Sequence, residues 1–205
     1  MILGIDLDNT IVCYDQLFWR LACERGWISS SVPCRKECVR DELRRLGREA
    51  DWTKLQGEVY GPLMTQATPF PGVLTALQHL RNSGWTVHVV SHRSRTPFAG
   101  PAHDLHAAAR EWLQTHGFLH DSTTSGGSSC VFLETEKAAK LARIQTLRCD
   151  WFIDDLPELL TDANFPGGVR RVLFDPHGHR PALPLDIGRF EDWAMVTGLL
   201  TGASA

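Results

Sequence analysis

The chain carries two pairs of aspartates, and each pair follows a short apolar segment. Asp6 and Asp8 end the apolar run at residues 2–7, and Asp154 and Asp155 follow another run at residues 151–153. Side chains alternate along a strand, so residues 6 and 8 share one side of it. Carboxylates this close repel each other unless a cation or a shared proton intervenes. Hard oxygen ligands in this number are typical of a Mg²⁺ site.

A hydroxyl and a lysine complete the set of reactive groups. Ser91 ends a third apolar run, and either Lys137 or Lys140 lies on a predicted helix before the second acidic pair. A cation and a lysine neutralise phosphate oxygens, a hydroxyl donates a hydrogen bond, and a carboxylate can attack phosphorus. The residue types therefore predict phosphoryl transfer.

The elements that would position these groups alternate along the chain. Short apolar segments predict strands, and apolar residues at helical spacing between them predict helices at 72–82, 104–115 and 135–147. This alternation predicts an α/β fold, a Rossmann-like three-layer α/β/α arrangement whose mostly parallel sheet is covered on both faces. The strands, about five in number, are predicted at residues 2–7, 85–90, 131–133, 151–153 and 169–174. Ligands of such sheets bind at the carboxyl ends of the strands, where the acidic pairs fall.

A helical insertion interrupts the alternation. Between residues 14 and 68 no strand is predicted, and helical patterns occur at residues 16–25, 35–46 and 52–66. The predicted domains are therefore a core of residues 1–13 and 69–205 and a small helical insertion of residues 14–68. Residues 122–129, rich in Ser, Thr and Gly, predict a loop, and the last five residues are predicted to fray.

The motifs resemble those of the haloacid dehalogenase (HAD) superfamily of hydrolases. The run Asp6-x-Asp8-x-Thr10 is similar to the first motif of that superfamily, the strand ending in Ser91 to the second, and Asp154-Asp155 to the fourth. The motifs occur in the right order over residues 1–175, and the insertion lies where the superfamily carries helical caps. The resemblance is to an uncharacterised branch, and it implies a phosphoric monoester hydrolase.

The resemblance also implies a role for each acidic residue. Asp6 would be the nucleophile and a Mg²⁺ ligand. Asp8 would protonate the leaving group and then activate water, while its backbone carbonyl binds the metal. Asp154 would bind Mg²⁺, and Asp155 would do so directly or through water.

The polar residues around the acids receive roles in the same way. Thr10 would orient Asp8, and Ser91 would orient the phosphate. The phosphate-binding lysine is predicted to be Lys140, because the run that follows it resembles the third motif; Lys137 stays open as the alternative. The two lysines are neighbours on one helix, so only one is expected to reach the phosphate.

Substrate contacts are predicted from the cap and from the end of the second core strand. A cap of this kind would exclude water and select the substrate. The predicted substrate-binding residues are Trp52, Gln56 and Tyr60 in the insertion and His92 and Arg93 after Ser91. The aromatic residues could equally belong to a hydrophobic core.

Composition excludes several other classes of protein. The formal net charge is −3, from 21 basic and 24 acidic side chains, so no nucleic-acid partner is expected. No apolar run is long enough for a bilayer, and no signal peptide is predicted. Six scattered cysteines predict free thiols in the cytoplasm.

The expected substrate is a small phosphorylated metabolite. A nucleotidase-like enzyme, a phosphomutase, and a non-catalytic module similar to a signalling receiver remain alternatives, and the oligomeric state stays open.

Overall fold

The protein is described by a computed structural model that covers residues 1–118 and 130–202. The predicted loop at residues 122–129 and residues 203–205 of the predicted frayed end lie outside these ranges. Among the described residues, no helix combines the length and the apolar character needed to cross a membrane.

Eight strands form two sheets within the described ranges. In chain order they are β1 (Ile2–Ile5), β2 (Val12–Cys13), β3 (Thr68–Pro69), β4 (Thr86–His92), β5 (Val131–Glu134), β6 (Trp151–Asp154), β7 (Arg170–Phe174) and β8 (Ile187–Phe190). The main sheet has the order β5-β4-β1-β6-β7-β8, and all five of its strand pairings are parallel. Strands β2 and β3 pair separately.

The main sheet confirms the predicted α/β fold and adds one strand to it. The five predicted strands are β1, β4, β5, β6 and β7, so the sheet has six strands rather than about five. The sixth, β8, was missed because its four residues include Gly188 and the exposed Arg189, which break the apolar run that signals a buried strand.

Eight α-helices accompany the strands in the described part of the chain. They are α1 (Asp15–Glu24), α2 (Lys36–Arg45), α3 (Glu49–Tyr60), α4 (Val73–Asn82), α5 (Leu105–Thr115), α6 (Lys137–Thr146), α7 (Pro157–Leu160) and α8 (Trp193–Thr201). The six predicted helices are α1 to α6. The pattern at residues 52–66 corresponds to α3 followed by a short 3-10 helix, because the chain leaves the helix at Gly61.

The chain divides into two compact units. The sheet unit comprises Met1–Ile11, Pro69–Arg93 and His116–Ala205, and the helical unit comprises Val12–Thr68 and Ser94–Thr115. The segment Ser94–Thr115, which contains α5, groups with the insertion, whereas the sequence prediction placed it in the core.

Two glycines explain why this segment packs within the helical unit. A Cβ added to Gly57 on α3 would lie 2.8 Å from the Cβ of Pro97, and one added to Gly61 would lie 3.0 Å from the Cβ of His103. The backbone at these two glycines therefore lies closer to the segment that contains Pro97 and His103 than a residue with a Cβ would allow. The Trp112 indole on α5 also donates a hydrogen bond to the Ala67 carbonyl at 2.8 Å.

The sheet unit is held by a hydrophobic core between the sheet and α6. Val90, Ile144, Phe152 and Leu173 are fully buried in it. Gly4 on β1 leaves room for this core, because a Cβ there would lie 2.6 Å from the Phe152 ring. Close packing across β1 and β6 fixes the relative position of two strands that both end in aspartates.

Candidate active site

The carboxyl ends of four neighbouring strands carry polar residues at one edge of the sheet. Asp6 follows β1, Ser91 lies near the end of β4, Asp154 ends β6, and Asp175 follows β7. Because β1, β4, β6 and β7 are adjacent and parallel, these ends meet at the same edge. The sheet thus gathers acids that lie far apart in the sequence, and all of these residues belong to the sheet unit.

Lys140 on α6 lies between the two acidic pairs. Its Nζ donates hydrogen bonds to Asp6 Oδ1 and to Asp154 Oδ2, both at 2.6 Å. All three side chains are buried. Lys137, one turn earlier on the same helix, is half exposed and pairs with Asp162 at 2.5 Å. Of the two candidate lysines, the structure brings Lys140 into the cluster of acids.

The environment of these three side chains shifts the pKa values of Asp6 and Lys140. Burial raises the pKa of Asp6 to about 7; the Lys140 charge opposes this shift, and the charges of Asp154 and Asp8 add to it. Burial alone would lower the pKa of Lys140, but the charges of Asp154 and Asp6 raise it above its ordinary value. The lysine therefore keeps its proton, while Asp6 needs more positive charge nearby to ionise readily.

Asp8 is held by Arg93. The Nη1 of Arg93 donates to both carboxylate oxygens of Asp8, at 2.6 and 2.8 Å. The Arg93 side chain is only 4% exposed, and that of Asp8 is 20% exposed. The sequence analysis predicts Arg93 as a substrate-binding residue; in the structure its guanidinium contacts Asp8. The signal was available, since Arg93 stands directly beyond a strand that ends at the same edge.

A turn that contains Asp8 follows β1. Asn9 has a φ of 59°, a left-handed conformation that Asn tolerates better than most residues. The Ile11 amide then donates to the Leu7 carbonyl at 3.0 Å. Thr10 is fully buried in this turn, and its Oγ1 has no hydrogen-bond partner within the described residues. The contact that was predicted between Thr10 and Asp8 is thus replaced by the contact with Arg93.

The Ser91 hydroxyl is a second buried polar atom at this edge. Ser91 is 1% exposed, and its Oγ lacks a hydrogen-bond partner among the described residues. Leaving a hydroxyl in this state costs about 1–3 kcal/mol. A ligand with acceptor oxygens would satisfy it, which fits the predicted role of Ser91 towards phosphate.

Each carboxylate of the two pairs contacts a cationic side chain. Asp6 and Asp154 share Lys140, Asp8 contacts Arg93, and Asp155 contacts an arginine after β7, Arg180. Four carboxylates thus face three cations, so the cluster keeps one net negative charge when all its acids are ionised.

This charge and the donor set fit a divalent cation such as Mg²⁺. Among the described residues, no group of three or more His, Cys, Asp or Glu side chains is arranged as a metal site. Lys140 contacts one oxygen each of Asp6 and Asp154. The other oxygen of Asp154 accepts from the Leu156 amide at 2.9 Å, but a carboxylate oxygen has a second lone pair that can bind a metal. Hard oxygen ligands with uncompensated negative charge favour Mg²⁺, and its charge would stabilise the ionised form of Asp6.

The predicted substrate residues of the insertion lie on α3 in the helical unit. Trp52 is 2% exposed, and its ring lies 4.8 Å from that of Phe18. Tyr60 is half-buried and packs edge-on against Tyr14, with the ring centroids 5.0 Å apart. These contacts assign Trp52 to the core of that unit and leave Tyr60 and the half-buried Gln56 partly accessible.

His92, the remaining predicted substrate residue, belongs to the sheet unit. Its side chain is exposed, and its Nε2 lies 3.1 Å from the Thr135 carbonyl. It therefore stands at the rim of the edge where Ser91 is buried.

Solved structures with the same fold identify the class of this architecture. No described protein family and no curated protein matches the sequence. An HAD phosphatase from Thermococcus onnurineus is 18% identical, with 98% of each chain covered and a TM-score of 0.53. The chain has the fold of the HAD-superfamily hydrolases, so the resemblance inferred from the motifs is confirmed for the fold.

Solved structures with this fold include both phosphatases and a dehalogenase. The D,D-heptose 1,7-bisphosphate phosphatase from B. bronchiseptica, complexed with magnesium and phosphate, is 14% identical, with 99% of each chain covered and a TM-score of 0.56. The L-2-haloacid dehalogenase RSc1362 is 12% identical, with 98% of each chain covered and a TM-score of 0.56. At such identities the likeness shows the fold alone, so the reaction must be argued from the residues.

Proposed function

We propose that this protein is a Mg²⁺-dependent phosphatase that hydrolyses a small phosphorylated metabolite through an aspartyl-phosphate on Asp6. The observation that carries the proposal is the second carboxylate, Asp8, two residues after Asp6 and held at both oxygens by Arg93. This second acid distinguishes phosphatase chemistry from dehalogenase chemistry.

A phosphatase needs a proton donor where a dehalogenase does not. A halide leaves as a stable anion, whereas the alkoxide of a phosphate ester must be protonated as it leaves. Asp8 lies two residues after the buried nucleophile, and its side chain is 20% exposed. A positioned acid beside Asp6 therefore favours cleavage of a P–O bond over cleavage of a carbon–halogen bond.

The residues of the sheet edge divide the reaction between them. Asp6 attacks phosphorus, and the bond to the leaving oxygen breaks as Asp8 donates its proton to that oxygen. Asp8 then takes a proton from the water that hydrolyses the aspartyl-phosphate, which releases phosphate and regenerates Asp6. Ser91 donates its free hydrogen bond to a phosphoryl oxygen. Lys140 offsets the charges of Asp6 and Asp154.

A bound metal supports this reaction by offsetting negative charge. The oxygens of Asp6 and Asp154 and the backbone carbonyl of Asp8 would hold the Mg²⁺, which when bound neutralises charge on the phosphoryl group. One net negative charge in the cluster becomes one net positive charge with a divalent cation, and this suits an anionic substrate.

The helical unit and the cysteines complete the proposal. We assign substrate selection to the helical unit, with Gln56 and Tyr60 as its contributing residues, and to His92 of the sheet unit.

All six cysteines are free thiols, which supports a reducing compartment such as the cytoplasm.

A paired assay of phosphate and halide release tests the proposal. The purified protein should release phosphate from members of a panel of phosphomonoesters in the presence of Mg²⁺. A chelator should stop this release, excess Mg²⁺ should restore it, and 2-haloacids should yield no halide. Halide release, or full phosphate release in the chelator, would contradict the proposal.

The Asp8→Asn variant should depend strongly on the leaving group. With an alkyl phosphate, formation of the phosphoenzyme should slow by about 10²–10⁴-fold, because the alkoxide loses its proton donor. With p-nitrophenyl phosphate the loss should be much smaller, because nitrophenolate leaves without protonation. Single-turnover kinetics measure both rates, and Asp186→Asn, an exposed aspartate paired with Arg171, is the control. Equal losses on both substrates would contradict a role of Asp8 as general acid.

A further inference from the structure

We propose that Asp155 serves as the counter-ion of Arg180 rather than as a ligand of the metal, and that Arg180 is a positioning residue that sets how tightly the site binds its cation. The inference rests on the proposed Mg²⁺ site. It assigns the second residue of the later acidic pair, for which the sequence left direct and indirect metal contact open.

The contact between Asp155 and Arg180 is the first support. Arg180 Nη2 donates to Asp155 Oδ2 at 3.1 Å, and the side chain of Asp155 is 5% exposed. A buried carboxylate keeps its charge only when a cation or several donors offset it. Arg180 supplies that cation, so the pair is neutral as a unit.

The turn that follows β7 holds the backbone of Arg180 in a fixed position. Asp175 accepts hydrogen bonds from the backbone amides of His179 at 3.3 Å and Arg180 at 3.0 Å. Gly178 adopts a left-handed φ of 63°, and its amide donates to the Asp175 carbonyl at 3.0 Å. Arg189 on β8 also donates to the Asp175 carboxylate. Asp175 therefore holds the conformation of this turn through hydrogen bonds.

Asp175 stays ionised in this position. It is 1% exposed. Burial works to raise its pKa, but the amides of Arg180 and His179 and the charge of Arg189 hold the pKa of Asp175 below its ordinary value. A permanent acceptor at this point fixes the backbone of Arg180, and with it the start of the side chain that reaches Asp155.

The two consecutive aspartates are thus divided between different cations. Asp154 accepts from Lys140 Nζ at 2.6 Å and from the Leu156 amide at 2.9 Å. Asp155 contacts Arg180 instead. Asp154 is the last residue of β6 and Asp155 follows it, and their contacts place Asp154 in the Lys140 cluster and Asp155 in the Arg180 pair.

This division predicts opposite effects for the two partners of the pair. Removing the charge of Asp155 makes the net charge near the site one unit more positive, which disfavours Mg²⁺. Removing the charge of Arg180 leaves Asp155 negative, which favours Mg²⁺. Removing both charges restores neutrality, so the double variant should bind Mg²⁺ much as the wild type does.

Calorimetric titration of MgCl₂ into the metal-stripped full chain measures these affinities without any turnover. We expect Mg²⁺ to bind about tenfold more weakly to Asp155→Asn and about tenfold more tightly to Arg180→Gln, with the double variant within about threefold of the wild type. Arg180→Lys, which keeps the charge, should also stay close to the wild type. Thermal melts of each variant confirm that it is folded.

The competing assignment of Asp155 as a direct ligand gives a different pattern. In that case Asp155→Asn and the double variant would lose Mg²⁺ binding to the same large extent, and this result would overturn the inference while leaving the proposed phosphatase intact. If the wild type itself bound no Mg²⁺, the proposed function would fail instead. Should Arg180→Gln not fold, Asp155→Asn alone decides, because a lost counter-ion leaves binding measurable and a lost ligand abolishes it.

Discussion

The Asp6→Asn variant is expected to lose phosphatase turnover by at least about 10⁴-fold while the protein stays folded. Asn has nearly the shape of Asp but cannot form the covalent bond to phosphorus. Lys140 keeps its contact with Asp154, so the substitution does not leave the lysine without a counter-ion. The loss therefore reports the missing nucleophile rather than a collapsed site.

The difference in stability between the wild type and this variant should depend on pH. The pKa of Asp6 is raised to about 7 in the metal-free protein, chiefly by burial. Between the pKa of the unfolded chain and this value, the folded protein binds more protons than the unfolded one, so the free energy of unfolding falls as the pH rises, and it stays lowered above it. Asn mimics the neutral form, so the metal-free variant should melt no lower than the wild type at about pH 8, with a smaller advantage at about pH 4.

Phosphate release and thermal melts in the presence of a chelator measure these two effects. The Asp186→Asn variant is the control, because it makes the same substitution at an exposed position of the same unit. Most of the wild-type activity in Asp6→Asn would contradict the assignment of the nucleophile.

The Lys140→Met variant should lose both stability and activity. Methionine preserves much of the volume but leaves Asp6 and Asp154 buried without their shared cation. Removing one partner of a buried ion pair costs about 3–5 kcal/mol in the free energy of unfolding. Phosphate release should fall as well, because the charges of Asp6 and Asp154 would then repel the phosphoryl group.

Lys137→Met on the same helix provides the matched control. Its partner Asp162 forms a pair that is half exposed on the lysine side, and such surface pairs contribute about 0–1 kcal/mol. Denaturant unfolding and phosphate release of the two variants separate the two lysines. Equal effects of both substitutions, or a larger effect at Lys137, would contradict the placement of Lys140 in the site.

Several features of the site could be predicted because they depend on local patterns. Apolar runs predict the strands before Asp6 and before Asp154. The carboxyl ends of neighbouring parallel strands lie at the same edge of the sheet. The spacing could not choose between Lys137 and Lys140, because neighbouring turns of one helix share a face. The burial of Lys140 beneath the sheet edge decides their placement.

Other features depend on contacts between distant parts of the chain. Arg93 and Asp8 are 85 residues apart, and Arg180 and Asp155 are 25 residues apart. No sequence period links such partners. The grouping of α5 with the helical unit depends on close contacts at Gly57 and Gly61. A single glycine in a helical pattern does not reveal what packs against it.

Acid-quenched mass spectrometry of the protein during turnover shows whether Asp6 carries the phosphoryl group. We expect one phosphoryl group on the peptide that contains Asp6, present with substrate and Mg²⁺ and absent from Asp6→Asn. Phosphate release at the full rate without any phosphorylated Asp6, or a phosphoryl group on a different side chain, would contradict it.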